Sequence, residues 1–138
     1  MNLYNHTRNL IHSGAVDIDA LRVILVGAAY TFAPTETAMT AIEANEVHGN
    51  GWPEGGAQIE NATASVSSTN ASTLTGDNIS VTATGGDIGP ASGLVIYDAT
   101  NGTPLFYYNF PTAQTAGDGT PFNINWHADG IHIIGAAA

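Results

Sequence analysis

The stretch from Gly93 to Phe110, GLVIYDATNGTPLFYYNF, constrains the fold more than any other part of the chain. It holds two runs of Leu, Val, Ile, Tyr and Phe, joined by the segment from Asp98 to Gly102. Within that segment, Asn-Gly supplies the positive φ angles that a tight reversal needs, so the pattern predicts a β-hairpin. The first run has too many consecutive apolar residues for a strand with one wet face. We therefore expect it in a sheet interior that is covered on both sides.

Three further segments show strand patterns. Leu21 to Gly27 is a β-branched apolar run with the length of one buried strand. Ile79 to Thr84 alternates apolar and polar residues within a stretch rich in Thr, Ser, Ala and Asn, so we expect polar-faced strands there and not a flexible tether. Residues 122–126 alternate in the same way, and Ala128 to Gly130 offers a turn into Ile131 to Ile134. This pattern predicts a second hairpin.

Two segments are expected to be helical. Leu3 to His12 has apolar residues close to helical spacing, so residues 1–14 are predicted to form a short helix or arm. Thr35 to Ala44 also fits a helix, with Thr35 or Thr37 as the N-cap. Its inward face would hold Ala38, Met39 and Ile42.

Together these patterns predict a mainly β protein. A chain of 138 residues has the length of one ordinary domain, so we expect residues 15–138 to form a single β domain. The matching fold class is an antiparallel β-sandwich or barrel-like fold, with a short N-terminal helix or arm and one short helix near residues 36–44. Glycine and proline place loops at Val47 to Gly56 and at Thr112 to Thr120.

The charge balance excludes some classes of partner. The chain has twelve acidic side chains against two arginines and no lysine, for a formal net charge of -10. Phosphate backbones and anionic membranes need cationic contacts, so we expect neither nucleic acid nor membrane as a partner. The acids are spread along the chain, which is typical of a solubilising surface.

Export and membrane signals are also missing from the sequence. The N-terminus lacks a basic segment followed by a long apolar run, and no stretch approaches the roughly 18 apolar residues of a membrane span. We therefore expect synthesis in the cytoplasm without a signal peptide. The chain also has no cysteine, which excludes thiolate chemistry and cysteine metal ligands.

The residues give no pattern of catalytic type. The five histidines show no metal-ligand spacing such as H-E-x-x-H, and neither a G-x-S-x-G nor a G-x-x-x-x-G-K motif occurs. Two of twelve carboxylates could form a glycosidase pair by chance, so their number carries no weight. We assign no catalytic, cofactor-binding or metal-binding residue, and we expect that the protein is not an enzyme.

Three residues are candidates for contact with a partner. Trp52 lies in a Gly/Pro loop, where it could stack on a sugar, anchor an interface, or fold back onto its own domain. Arg8 and Arg22 are expected to pair with neighbouring carboxylates, although Arg8 could instead dock on a partner. Because chain ends are free to reach a neighbour, we expect the N-terminal arm to dock through Tyr4 and Arg8.

The whole chain resembles a family of small virion proteins of tailed bacteriophages. The motifs that carry the resemblance are LRVILVGAAYTFAP, EANEVHGNGWPEGGAQI, LVIYDATNGTPLFYYNF and GTPFNINWHADGIHII, which follow an N-terminal segment YNHTRNLIHSG. They cover nearly the full length in the expected order. The chain departs from the family in its long Ala/Thr/Ser stretch from Asn61 to Thr84 and in having no lysine.

This resemblance implies a non-enzymatic virion protein. One implied role is an outer-capsid decoration, or cement, protein that clamps subunits of the major capsid protein, as a trimer or another closed ring. The alternative is a tail-fibre or tail-tip module that recognises a host surface glycan through Trp52 and the Tyr/Phe-rich hairpin. With so few cations, we expect the contacts of either form to rest on apolar burial and main-chain hydrogen bonds.

Overall fold

The computed structural model describes residues 1–66 and 71–134. In chain order, its strands are β1 (Asn2–Leu3), β2 (Leu21–Val26), β3 (Glu46–Val47), β4 (Ala57–Gln58), β5 (Thr63–Val66), β6 (Ser72–Thr75), β7 (Ile79–Thr82), β8 (Ile88–Asp98), β9 (Thr103–Ala116), β10 (Pro121–Ile124) and β11 (His132–Ile134). Its helices are α1 (Thr7–His12), α2 (Thr40–Glu43) and a 3-10 turn at Ile18–Ala20. The fold is mainly β with antiparallel sheets, so the predicted sandwich-like class is confirmed. The last residues of the predicted β domain, 135–138, lie outside the described residues.

The large sheet has the strand order β1-β9-β8-β2-β3, with β4 also paired to β2. The predicted hairpin is confirmed as β8 and β9, which turn between Asp98 and Thr103. Gly102 donates its backbone N–H to the Asp98 carbonyl at 2.8 Å and has a φ of 66°, a conformation that glycine adopts without strain. The predicted buried strand is β2, which pairs with β8 from Leu21 to Val26.

The middle of the large sheet is buried on both faces, as its continuous apolar runs predict. Leu94 and Ile96 point into one hydrophobic core, whereas Val95 and Tyr97 point into another. The first core lies between this sheet and the smaller strands and includes Trp52. The second core includes Tyr30 and Met39 from the connection between β2 and α2, and Ile42 from α2. Alternation across a pleated strand explains this division.

The Ala/Thr/Ser stretch from Asn61 to Thr84 forms strands, as expected. Two of these strands pair with the two C-terminal strands, which were predicted to pair with each other. β10 pairs with β7, with Phe122 opposite Val81, and β11 pairs with β6, with His132 opposite Leu74. The prediction of a hairpin between β10 and β11 is therefore wrong. The turn from His127 to Gly130 does form, closed by a 2.9 Å backbone hydrogen bond, but it directs the chain from one small sheet to another. β7 is half-exposed, as predicted.

Both helices are shorter than their patterns indicate. α1 covers only the second half of the predicted segment, because Asn2 and Leu3 pair with β9. α2 begins after Met39, and Met39 makes no side-chain cap, so the predicted threonine caps are wrong. The predicted inward face is confirmed for Met39 and Ile42, whereas Ala38 is exposed. Upstream of α2, a turn from Ala33 to Glu36 occupies residues that the pattern placed in the helix.

Within the described ranges, neither helix has the length or the apolar character needed to cross a bilayer.

Candidate binding groove

Tyr4, one of the predicted contact residues, lies inside the protein. Its side chain is 1% exposed, and its hydroxyl lies 2.6 Å from the Tyr30 hydroxyl, which donates to Glu36 Oε2 at 3.0 Å. Burial raises the pKa of Tyr4 far above its usual value and that of Tyr30 to about 12, so both phenols are neutral at physiological pH. Tyr4 therefore anchors the N-terminal segment and offers no surface to a partner.

The backbone of the N-terminal segment is equally well fixed. Asn2 and Leu3 pair with β9, and Asn5 donates its N–H to the Pro34 carbonyl at 2.8 Å. The buried hydroxyl of Thr7 donates to the Leu105 carbonyl at 2.6 Å. The expectation of an arm that is free to reach a neighbour is thus wrong, because the hydrogen bonds of this segment are formed with its own domain.

Trp52 folds back onto its own domain, which was one of the three alternatives. Its side chain is 1% exposed, and its ring packs edge-to-face against Phe122 with centroids 5.5 Å apart. Its Nε1 is buried and has no hydrogen-bond partner in the described part of the chain. A partner could not reach this ring, so the prediction that Trp52 contacts a partner is wrong for this fold.

The two arginines differ in their surroundings. Arg8 is exposed on α1, and Arg22 is partly buried, with its Nη1 donating to the Gly56 carbonyl at 3.4 Å. Over residues 1–66 and 71–134, neither guanidinium lies within 4.0 Å of a carboxylate oxygen, so the predicted ion pairs are wrong. Arg8 remains accessible, and its contact with a partner stays a prediction.

A surface groove lies beside strand β10. Its volume is about 590 Å³, within the range of small-ligand sites. It runs between the end of β9, the strand β10 and the segment that follows β10. We call it the aromatic groove; its principal lining residues are Tyr108, Phe110, Gln114, Asn123, Asn125 and Trp126.

A bulge in β9 shapes one wall of the aromatic groove. Gly93 lies opposite Asn109, whereas Ala91 lies opposite Gln114, so two steps along β8 correspond to five along β9. The extra residues, which include Pro111, bend β9 away from regular pairing. β9 therefore continues to Ala116, through residues that the sequence assigned to a glycine-rich loop. Tyr108 is 39% exposed there, and it packs edge-to-face against Phe110 at 5.7 Å.

β10 forms the opposite wall, and its alternation determines which side chains are exposed. Phe122 and Ile124 point into the core as predicted, so Asn123 and Asn125 point to solvent. Trp126 follows, half-buried, with its Nε1 donating to the Asp77 carbonyl at 2.9 Å. Its backbone N–H donates to Asn78 Oδ1, also at 2.9 Å. The indole is therefore held in one orientation at the groove, where it also packs partly against the first core.

The aromatic groove is nearly free of charge. None of its described lining residues is an Asp or a Glu, although the chain carries twelve acids. Among the described lining residues, the titratable groups are the N-terminal amine of Met1, the phenol of Tyr108 and the imidazole of His127. His127 is highly exposed, and its Nδ1 lies 3.4 Å from Asp129 Oδ2. This arrangement favours an uncharged ligand that offers both apolar and hydroxyl surface.

A smaller apolar crevice of about 190 Å³ lies between the region after α1 and the strands β5, β6 and β11. His132 borders it and packs on Phe106 with ring centroids 4.6 Å apart. Burial lowers the pKa of His132, and the positive charges of the N-terminus and Arg8 lower it further. His132 is therefore neutral at physiological pH. This crevice offers few polar groups with which to orient a ligand.

The described residues contain no group of three or more His, Cys, Asp or Glu side chains placed to hold a metal ion. The buried carboxylate of Asp98 is used within the hairpin turn, where it accepts hydrogen bonds from the backbone of Asp17 and Thr100 and from both nitrogens of Asn101. It thus stabilises the turn.

Sequence reasoning did not identify the aromatic groove as a site. The usable signal was Asn123-Ile124-Asn125-Trp126, where amides occupy the exposed face of a strand beside an aromatic ring. Its other wall depends on a bulge that no local pattern indicates. The chain matches no protein-family model, no curated protein and no solved structure.

Proposed function

We propose that this protein is a non-enzymatic virion component of a tailed bacteriophage, and specifically an outer-capsid decoration protein. It binds the major capsid protein on the outside of the head and forms a closed homo-oligomer, with a trimer favoured. The observation that carries the proposal is an open, uncharged strand edge at β5. The motifs that resemble small phage virion proteins support the same role.

β5 has the features of a strand that pairs with another chain. All four of its residues are exposed, and Val66 is 82% exposed. Among the described residues, β5 pairs only with β6, which leaves its other edge available. Natural proteins protect such edges with charged residues, proline or a bulge, and Thr63-Ala64-Ser65-Val66 contains neither a charge nor a proline. Main-chain pairing at this edge would join the domain to a neighbour.

Immunogold labelling of intact particles tests this proposal. An antibody against the chain should label the head of the phage that encodes it, with many copies on each particle. Labelling confined to the tail, or no labelling of particles, would reject the decoration role. Turnover of a substrate by the purified protein would reject the non-enzymatic role.

The second candidate function is a tail-fibre or tail-tip module that recognises a host surface glycan. The specific observation in its favour is the aromatic groove, which combines the exposed ring of Tyr108 and the half-buried rings of Phe110 and Trp126 with exposed amides. Trp52 has no part in this candidate, because its ring is buried. The same labelling experiment distinguishes the two candidates, since the second predicts label at the tail.

A further inference from the structure

We propose that the aromatic groove binds an uncharged oligosaccharide. This inference deepens the second candidate function and rests on it for its biological role, but it concerns a property that the purified protein can be tested for directly. The side chains that would contact the sugar are those of Tyr108, Phe110, Asn123, Asn125 and Trp126.

The aromatic side chains provide the apolar part of the site. Tyr108 is one of the few large apolar side chains that the described residues leave exposed, and the Phe110 ring packs edge-to-face against it. Trp126 lines the same groove, and its hydrogen bond to the Asp77 carbonyl fixes its ring. Rigid aromatic rings present a large apolar area at low cost in conformational entropy, and the C–H faces of a pyranose ring can pack on them.

The amides provide the polar part. Asn123 on β10 and Asn125, which directly follows the strand, are both exposed and two residues apart, and in the described structure their side chains form no hydrogen bond. Each amide offers both a donor and an acceptor, which matches a pair of neighbouring sugar hydroxyls. Most other asparagine amides near the turns are already engaged, as Asn50 is with the Asp87 carbonyl and Asn61 with Asp77. The two groove amides are therefore available to a ligand.

The charge distribution selects an uncharged sugar. A saccharide with carboxylates or sulfates would approach a chain of net charge -10 and find no arginine or lysine among the groove residues described, where the amine of Met1 and the imidazole of His127 are the basic groups. A cationic ligand would find no carboxylate in the lining. A neutral oligosaccharide needs neither a cationic nor an anionic partner in the groove. Its hydroxyl groups can form hydrogen bonds with the uncharged asparagine amides.

An oligosaccharide array with the purified full-length chain gives the first test. The probes include the neutral oligomers maltoheptaose, chitohexaose and mannohexaose, together with the acidic polymers polysialic acid and heparin. We expect binding to at least one neutral oligomer and none to the acidic polymers. Equal binding of neutral and acidic probes, or no neutral probe bound at millimolar concentration, would overturn the proposal.

Calorimetric titration with the neutral oligomer that binds best then tests the site. The double variant Asn123→Ala/Asn125→Ala should bind about tenfold more weakly, because two hydrogen-bonding amides are lost. Tyr108→Ala should weaken binding to a similar extent. The matched control is Asn9→Ala, which removes an exposed amide from α1, outside the groove lining, and should bind as the unmodified chain does.

Thermal unfolding of each variant confirms that the fold is retained, as the exposure of these side chains predicts. Unchanged affinity in the double variant and in Tyr108→Ala would place any bound sugar elsewhere and overturn the assignment. Failure of sugar binding would leave the head-labelling result unaffected, so the inference and the decoration role fail separately.

Discussion

The two tryptophans show how surroundings decide the role of a residue type. Trp52, in a loop rich in glycine and proline, is buried against Phe122, whereas Trp126, on an alternating segment, lies half-buried at the aromatic groove. The sequence left three roles open for Trp52, and the structure shows the one in which the ring folds back onto its own domain, although loop residues are more often at the surface. The loop around Trp52 folds inward because glycines at 49 and 51 adopt positive φ angles.

Trp52 gives a test at the residue scale. Trp52→Ala should lower the free energy of unfolding by about 3–5 kcal/mol, since it leaves a large cavity in the core. Trp52→Phe should cost less, about 1–2 kcal/mol, because it retains an aromatic contact to Phe122 and removes a buried N–H that has no described partner. Urea denaturation measures both. An alanine variant of normal stability would contradict the buried position of this ring.

His132 gives a pH-dependent test. Its pKa is lower in the folded chain than the 6.5 of an unfolded histidine, so the unfolded state binds protons first as the pH falls. The contribution of His132 to stability is therefore complete above pH 6.5 and is lost as the pH drops below that value. His132→Gln should flatten the stability profile in this window. The measurement is urea denaturation from pH 7.5 to 5, with exposed His12→Gln as the control. Identical slopes for His132→Gln and the unmodified chain would contradict the prediction.

At the scale of elements, sequence separation determined which strand pairings were predictable. The β8–β9 hairpin joins neighbours through a turn whose residues are visible in the sequence, and it forms as expected. β10 and β11 are also neighbours in the chain, yet each pairs with a strand from the Ala/Thr/Ser stretch. Pairing with β7 and β6 satisfies backbone hydrogen bonds of β10 and β11, and β7 also contributes Ile79 to the first hydrophobic core.

The β5 edge carries the element-scale prediction. Val66→Lys should prevent assembly onto capsids while changing the stability of the domain by less than about 0.5 kcal/mol, since the residue is largely exposed. Val66→Thr, which keeps an uncharged β-branched residue, is the control and should assemble normally. Sedimentation of capsids with each variant measures binding. Normal capsid binding by the lysine variant would show that assembly does not use this edge.

At the scale of the whole molecule, the large sheet has a hydrophobic core on each face, and the chain that surrounds these cores has few charged side chains. Arginine occurs twice and lysine never, so the protein has few cations with which to pair a partner's carboxylates. Binding to a shell would then depend on apolar burial and main-chain hydrogen bonds, which salt screens weakly.

Salt dependence tests this interpretation. We expect the affinity for capsids to change by less than about threefold between roughly 0.05 and 0.5 M salt, because exposed ion pairs would contribute little. The measurement is the fraction bound in a sedimentation assay. A loss of binding by orders of magnitude over that range would show that charged contacts dominate.

By itself, the sequence determined the mainly β class, the hairpin of β8 and β9, and the buried strand β2. These features depend on the local alternation of residues and on turn chemistry, which neighbouring residues supply. Only the tertiary structure decided that Tyr4 and Trp52 are buried, that β10 pairs with β7, and that a bulged β9 meets β10 to form a groove. Those features depend on contacts between residues far apart in the chain, where competing pairings differ in how completely they bury apolar surface and satisfy backbone hydrogen bonds.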